Sequence, residues 1–229
     1  MSLMPSEPAY ILSYDVARFE HYDTDYYADL LIDNVSMEGR LSIYEEQPLS
    51  LPDPVVYRGY PPVVKALDFP MTDNSWLVMS SHMLKALQGV GELRHKKFPV
   101  VVADYRQLRE YWKDKNGEFR EEMVIRGYFV IQIFERLDIF DFVRSKFQRD
   151  PDYPDLIGNV DEYVLRIPVG GLPPVFHIKG DPVKTFVSHS ARVALKNAGV
   201  KGVQYIQLSG IKGGQGMFVD VPVPDPGDG

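Results

Sequence analysis

Two stretches of this sequence carry the same order of local signals, and this repetition constrains the fold more than any other feature. One reads LVMSSHMLKALQGVG around Ser80 and the other reads FVSHSARVALKNAGVKG around Ser188. In each, the Ser can cap a helix by accepting a hydrogen bond from a first-turn amide. Gly89 and Gly199 can then end the helices in the left-handed conformation. Three positions are identical at a constant offset of 108 residues: Ser80, Ala86 and Leu87 against Ser188, Ala194 and Leu195.

Each stretch therefore predicts a strand, a short helix and a second strand. Whether the two units arose by duplication stays open, because local helix chemistry alone can produce three identities. Further runs of apolar and β-branched residues predict additional strands. These strands are expected at 98–104, at 123–134 with a bend at Gly127, at 163–169, and as a hairpin formed by 203–208 and 217–223.

The proline-rich segment 48–70 has no long periodic pattern. We expect it to cross the surface as extended chain, because each Pro lacks an amide donor and biases its predecessor away from helix. Together the elements predict an α+β fold with mixed, mainly antiparallel sheets and a few short helices. The chain divides into an N-terminal region (1–110) and a C-terminal region (111–229), or forms one continuous domain.

The net charge of −7 is concentrated in one part of the chain. Residues 15–46 hold nine acids and two bases, so the rest of the chain is balanced. Within this part, residues 19–34 interleave Tyr with carboxylates, and Tyr is favoured at protein interfaces. This pattern predicts an acidic, aromatic contact surface that attracts a basic partner. The alternative is a solvated helix or loop whose Tyr rings pack into the core.

The residues expected to contact a partner lie in the acidic segment and in the proline-rich segment. They are Glu20, Tyr22, Asp23, Asp25, Tyr26, Tyr27, Tyr57, Arg58 and Tyr60. A nonspecific nucleic-acid partner is excluded, because such binding needs a basic face. No run of 18 apolar residues is present, so no membrane span is expected, and without a visible signal sequence we expect the cytoplasm.

The sequence contains no pattern that predicts catalysis, a metal or a cofactor. The five His residues lack the spacings of a zinc site, and the chain has no Cys. Ser188, His189 and Ser190 are adjacent at a helix start and do not face one another, so capping explains Ser188 better than nucleophilic catalysis. Asp141 and Arg144, at helical spacing, predict a structural ion pair. We expect a protein that is not an enzyme.

The C-terminal third carries an ordered set of motifs, strongest over residues 137–208. They are Asp141 before Arg144–Ser145, Phe176 to Gly180, Phe186–Val187–Ser188, and Gly199 to Gly202–Val203. This order resembles the immunity-protein family of bacterial polymorphic toxin systems, earlier catalogued as a domain of unknown function. The resemblance implies a protein that binds a cognate toxin stoichiometrically and silences it by occlusion. Because the matching residues are packing, turn and capping residues, they name no chemistry.

Two other classes of function stay open on the sequence alone. One is an uncharacterised hydrolase or nucleotide-modifying enzyme that uses His82 or His189 with nearby carboxylates. That class requires a deep pocket joining these residues. The other is a scaffold module that binds a different cellular protein.

Overall fold

Two five-stranded sheets and three short helices form the frame of the part of the chain that the structure describes. The computed structural model describes residues 9–15, 28–35, 48–149 and 156–208. The strands are β1 (Ala9–Tyr14), β2 (Leu30–Ile32), β3 (Val55–Gly59), β4 (Val78–Ser80), β5 (His95–Asp104), β6 (Val124–Ile133), β7 (Arg136–Leu137), β8 (Lys146–Arg149), β9 (Ile157–Glu162), β10 (Val175–Ile178), β11 (Asp181–Ser188) and β12 (Val203–Gln207). The helices are α1 (Pro61–Lys65), α2 (Ser81–Gln88) and α3 (His189–Asn197).

The sheets are mixed and mainly antiparallel, which confirms the predicted α+β class. One sheet has the order β12-β1-β11-β10-β7 and the other has the order β2-β3-β5-β6-β4. Strands β3 and β5 pair in parallel, as do β7 and β10. Strands β8 and β9 form a separate two-stranded antiparallel sheet.

The two predicted strand–helix–strand units are present, and they share a topology. In the first unit, β4 and β5 lie on either side of β6 and are antiparallel to it. In the second, β11 and β12 lie on either side of β1 in the same way. The second strands begin at His95 and Val203, which keeps the offset of 108 residues. Similar local signals therefore produce the same split arrangement of two parallel strands around an antiparallel one.

The predicted Ser caps are confirmed, whereas one of the two predicted glycine stops is wrong. Ser80 Oγ accepts a hydrogen bond from Met83 N (3.1 Å), and Ser188 Oγ accepts one from Ala191 N (3.3 Å). Gly199 has φ +69° and takes the left-handed conformation. Gly89 has φ −70° and stays right-handed, because its amide continues the helical pattern by donating to Lys85 O (3.1 Å).

A shared hydrophobic core joins the two sheets. The expected boundary at residue 110 falls between β5 and β6, which pair along their length, and β1 lies in the sheet that is otherwise C-terminal. Both α2 and α3 place their apolar faces in this core. Both sheets and both helices therefore contribute to one core in the described part of the chain. Buried members of the core include Tyr10, Leu12, Phe69, Met79, Met83, Leu87, Ile131, Val175, Val187 and Leu195.

Strands were predicted correctly where a long apolar run marks them. Strand β5 covers 98–104, and β6 covers most of 123–134. Gly127 has φ +91°, and the pairing of β5 with β6 is irregular nearby, as the expected bend requires.

Three other expectations differ from the structure. Segment 48–70 does not stay on the surface, because its apolar residues 55–57 form most of an inner strand and the prolines only flank it. The strand expected at 163–169 lies earlier, at Ile157–Glu162. Residues 203–207 pair with β1, and the other half of the expected hairpin, 217–223, lies outside the described residues.

Candidate functional site

The structure separates the nine expected contact residues into three groups. Six of them are in the acidic segment and lie outside the described residues: Glu20, Tyr22, Asp23, Asp25, Tyr26 and Tyr27. Tyr57 is fully buried in the core, where its O–H donates to Asn74 Oδ1 (3.4 Å). Side chains alternate between the faces of a strand, so Tyr57 points into the core and Arg58 points away from it. Tyr57 is therefore removed from the expected contact residues, while Arg58 and Tyr60 remain partly exposed.

Arg58 and Tyr60 lie at an edge where two parallel strands end together. Gly59 at the end of β3 pairs with Asp104 at the end of β5. The next residues, Tyr60 and Tyr105, consequently meet with their rings edge to face and their centroids 6.2 Å apart. Gly59 is required here, because a Cβ at this position would lie 2.9 Å from the carbonyl oxygen of Asp29, which directly precedes β2.

Arg106 is held in place by an aromatic ring and a carboxylate. Its guanidinium carbon lies 4.5 Å from the ring centroid of Tyr60. Asp104 accepts three hydrogen bonds from the fork: from Arg106 Nη2 to Oδ2 (2.6 Å), from Nε to Oδ1 (2.9 Å) and from Nε to Oδ2 (3.2 Å). These side-chain bonds outweigh burial and hold the pKa of Asp104 below its ordinary value. Bidentate pairs of this kind fix orientation as well as charge.

A second carboxylate, Asp33, lies between two further arginines. Arg109 Nη2 is 2.6 Å and Arg58 Nε is 3.3 Å from Asp33 Oδ1. The Arg109 side chain is 67% exposed, whereas the Asp33 side chain is only 12% exposed. Asp104 is recessed beneath Arg106 in the same way. The edge therefore presents guanidinium groups to solvent and keeps the balancing carboxylates underneath.

The loop after β5 adds two exposed apolar side chains, Leu108 and Tyr111. The loop is anchored by the buried Trp112, whose ring N–H donates to Asp104 O (3.3 Å) and whose backbone N–H donates to Arg109 O (3.2 Å). The exposed groups are thus carried on an ordered turn. We name the whole edge the Arg–Tyr surface: Arg58, Tyr60, Tyr105, Arg106, Leu108, Arg109 and Tyr111.

Most of the Arg–Tyr surface was not predicted from the sequence. Only Arg58 and Tyr60 were expected as contacts. The run YRQLREYW (105–112), which directly follows a buried apolar strand, contains the signal that was missed. Alternating Tyr and Arg at the end of a strand is the composition typical of an interface.

The histidines of the enzyme alternative lie in different surroundings. His82 Nδ1 is 3.0 Å from Asp68 Oδ1, and the same carboxylate accepts hydrogen bonds from Ser80 Oγ (2.5 Å) and Lys201 N (3.0 Å). Burial raises the pKa of Asp68, but these hydrogen bonds together outweigh it, so the pKa is lowered. His189 Nδ1 instead lies 3.5 Å from the Tyr10 hydroxyl. The Asp68 cluster mainly ties the first unit to the second.

Within the described ranges, no three His, Asp or Glu side chains are grouped closely enough to hold a metal ion. No helix in that part of the chain has the length and apolar character needed to cross a membrane. No protein-family model matches this chain, and no curated protein matches it.

Proposed function

We propose that this protein is an immunity protein that binds a cognate bacterial toxin and silences it by covering a functional surface. The observation that carries the proposal is the Arg–Tyr surface. The family resemblance of residues 137–208 supplies the identity of the partner. The protein acts stoichiometrically in the cytoplasm and does not catalyse a reaction.

The composition of the Arg–Tyr surface suits a protein partner. Tyr and Arg are the side chains most often found as energetic anchors of interfaces, where a few residues supply most of the affinity. Arg106 and Arg109 are already oriented by Asp104 and Asp33 in the free protein. Binding therefore costs little side-chain entropy at these positions.

The exposed guanidinium groups also indicate that the partner has hydrogen-bond acceptors where it contacts this surface. A carboxylate or a backbone carbonyl of the toxin can accept hydrogen bonds from the N–H groups that Arg109 directs to solvent. An interface of standard size uses roughly 20–30 residues from each partner, so the seven residues of the Arg–Tyr surface form only part of one. The acidic segment stays a proposed second contact, to a basic region of the toxin, through residues 20–27.

The test is co-expression and binding with the C-terminal domain of the toxin encoded beside this protein. We expect rescue of the cells and a stable complex. R106A and R109A should each weaken the complex roughly tenfold or more, as truncated anchors do. Arg94→Ala is the matched control, because Arg94 is an exposed arginine paired with Glu135 at the opposite end of β5.

Two results would contradict the proposal. Failure of the wild-type protein to bind the toxin domain and to rescue cells removes the immunity function. Equal loss of affinity in R94A, R106A and R109A would show that the Arg–Tyr surface is not the contact, because the loss would then come from removing any positive charge.

One observation favours an enzyme as the second candidate. Asp68 holds the imidazole of the half-exposed His82 through Nδ1, which is how a carboxylate orients a histidine that acts as a general base. In that case H82A abolishes a measurable activity without changing stability. If the protein is instead an immunity protein, H82A should leave toxin binding and the rescue of cells unchanged.

A further inference from the structure

An apolar turn projects from the molecule between β7 and β8. Asp141 and Arg144 were expected to pair at helical spacing, and they do pair, but in a turn and not in a helix. The turn carries Phe142 and Val143 at its tip. Phe142 is 43% exposed and Val143 is 92% exposed. We name residues 141–145 the Phe–Val turn.

The backbone of the Phe–Val turn is fixed by Asp141. Its Oδ1 accepts hydrogen bonds from Val143 N (3.0 Å) and Arg144 N (3.1 Å), and its Oδ2 accepts one from Arg144 Nε (2.8 Å). The Arg144 side-chain bond is the main reason that the pKa of Asp141 is lowered. The turn is closed by Ser145 N, which donates to Asp141 O (2.9 Å). The exposed tip is consequently an ordered feature.

A series of aromatic rings connects the tip to the core. The Phe142 ring lies edge to face against the buried Phe140, with centroids 4.9 Å apart. Phe140 contacts Tyr163 in turn (5.7 Å), and Tyr163 contacts the buried Phe186 (5.5 Å). On the outer side, the guanidinium of Arg149 lies 5.6 Å from the Phe142 centroid. Ring packing therefore holds Phe142 in one position while leaving part of its face exposed.

The charges around the tip are arranged as on the Arg–Tyr surface. Arg144 is 62% exposed above Asp141, which is 13% exposed. Lys146 is also more exposed than Glu162, with which it pairs at 2.7 Å. Arg149 is exposed as well. Lys146 is balanced by Glu162 and the exposed Asp161, so the cations that a partner meets beside the two apolar side chains are mainly Arg144 and Arg149.

We infer that the Phe–Val turn is a further docking point for the toxin. It inserts Val143 and the exposed edge of Phe142 into an apolar cleft of the toxin that is rimmed by carboxylates. The convex apolar tip requires a concave apolar site, and the surrounding cations require acidic groups at its rim. Because the turn is ordered before binding, little conformational entropy is lost on association. This inference rests on the proposed function and adds a contact site to it.

The experiment measures the affinity of the purified full-length protein for the toxin's C-terminal domain by calorimetry. Val143→Asp places a charge in the apolar cleft and should weaken binding roughly tenfold or more, as loss of an interface anchor does. Val169→Asp is the matched control, because Val169 is a fully exposed valine in another turn. It should bind within about twofold of wild type, as expected for a position outside an interface.

A second variant, Val143→Ser, removes the apolar side chain without adding a charge. The melting temperatures of all variants show whether a loss of binding comes from a loss of folding. The inference is supported when V143D and V143S weaken binding, V169D does not, and all variants melt like the wild type. It is overturned, with the immunity function intact, when wild type binds and V143D matches V169D. If wild type neither binds nor rescues, the proposed function fails, and this docking point fails with it.

Discussion

The first strand–helix–strand unit (β4–α2–β5) and the second (β11–α3–β12) share a backbone frame and differ in their side chains. The helix residues that face the core correspond one to one at the offset of 108: Met83, Leu84 and Leu87 against Ala191, Arg192 and Leu195. Leu84 is thus matched by a charged residue. The buried Arg192 is accommodated because its guanidinium lies 4.7 Å from the Tyr10 ring centroid. Capping and the pattern of burial define the frame, and the identity of each buried side chain does not.

The units also differ at the hydroxyl of the capping Ser. Ser80 Oγ both caps α2 and donates to the Asp68 carboxylate. Ser188 Oγ caps α3 and lies 3.0 Å from Ser190 Oγ. Equivalent residues therefore make different contacts, and three pairs of variants and one single variant can measure the difference.

Core truncation at matched helix positions should have the largest effect. Leu87→Ala and Leu195→Ala each remove a fully buried side chain. Each is expected to lower the free energy of unfolding by about 2–5 kcal/mol, the range for buried Leu→Ala. Urea denaturation provides the measurement. If one variant lowers the free energy of unfolding by less than half as much as the other, the two units are not energetically equivalent.

Cap removal should distinguish the units. Ser188→Ala is expected to cost about 1 kcal/mol, as for a typical lost helix cap. Ser80→Ala should cost more, because the Asp68 carboxylate also loses a hydrogen bond. The same urea titrations measure both, and equal losses would show that the Ser80–Asp68 contact adds nothing to stability.

Acid should weaken the first unit through Asp68. The pKa of Asp68 is below the ordinary value of 3.8 in the folded protein. Its contribution to stability is therefore fully present above that value and is lost as the pH falls through the lowered pKa. Asp68→Asn should flatten this part of the stability–pH curve, measured by urea unfolding between pH 2 and 6. If the stability–pH curves of wild type and D68N are parallel, Asp68 is not the source of the loss of stability in acid.

Substitution of the glycines that end the helices should have the smallest individual effects, and these should have opposite signs. Gly199→Ala forces a side chain into φ +69° and should destabilise by about 1 kcal/mol. Gly89→Ala is expected to stabilise by about 0.4–1 kcal/mol, because φ is −70° and the unfolded chain loses freedom. Melting temperatures of the two variants report the signs. A change of melting temperature with the same sign in both variants would contradict the difference in backbone conformation between Gly89 and Gly199.

The sequence predicted what local patterns determine. Ser80 and Ser188 cap helices through amides three residues away, and the apolar run 98–104 needs no distant partner to be recognised as a strand. Residues 55–59 were misread because nearby prolines suggested a surface segment, although parallel pairing with β5 places them inside a sheet. That pairing joins residues more than 40 positions apart, which local composition does not encode.

The same reasoning explains what was and was not foreseen at the Arg–Tyr surface. Tyr60 was recognised by residue type, but its partners Tyr105 and Arg106 reach it only because β3 and β5 end together. The contact of Asp68 with Lys201 likewise spans the two units. Side-chain type identifies candidate contacts, and long-range strand pairing decides which of them share a surface.

The position of β1 between β11 and β12 has a consequence for biosynthesis. The central strand of the second unit, β1, is synthesised before both of its neighbours, which are complete only at residues 188 and 207. The first unit has no such delay, since its central strand β6 follows β5 closely. During synthesis β1 must therefore be kept from pairing with other exposed strand edges. The docking of β1 between β11 and β12 has to follow the synthesis of both of these strands.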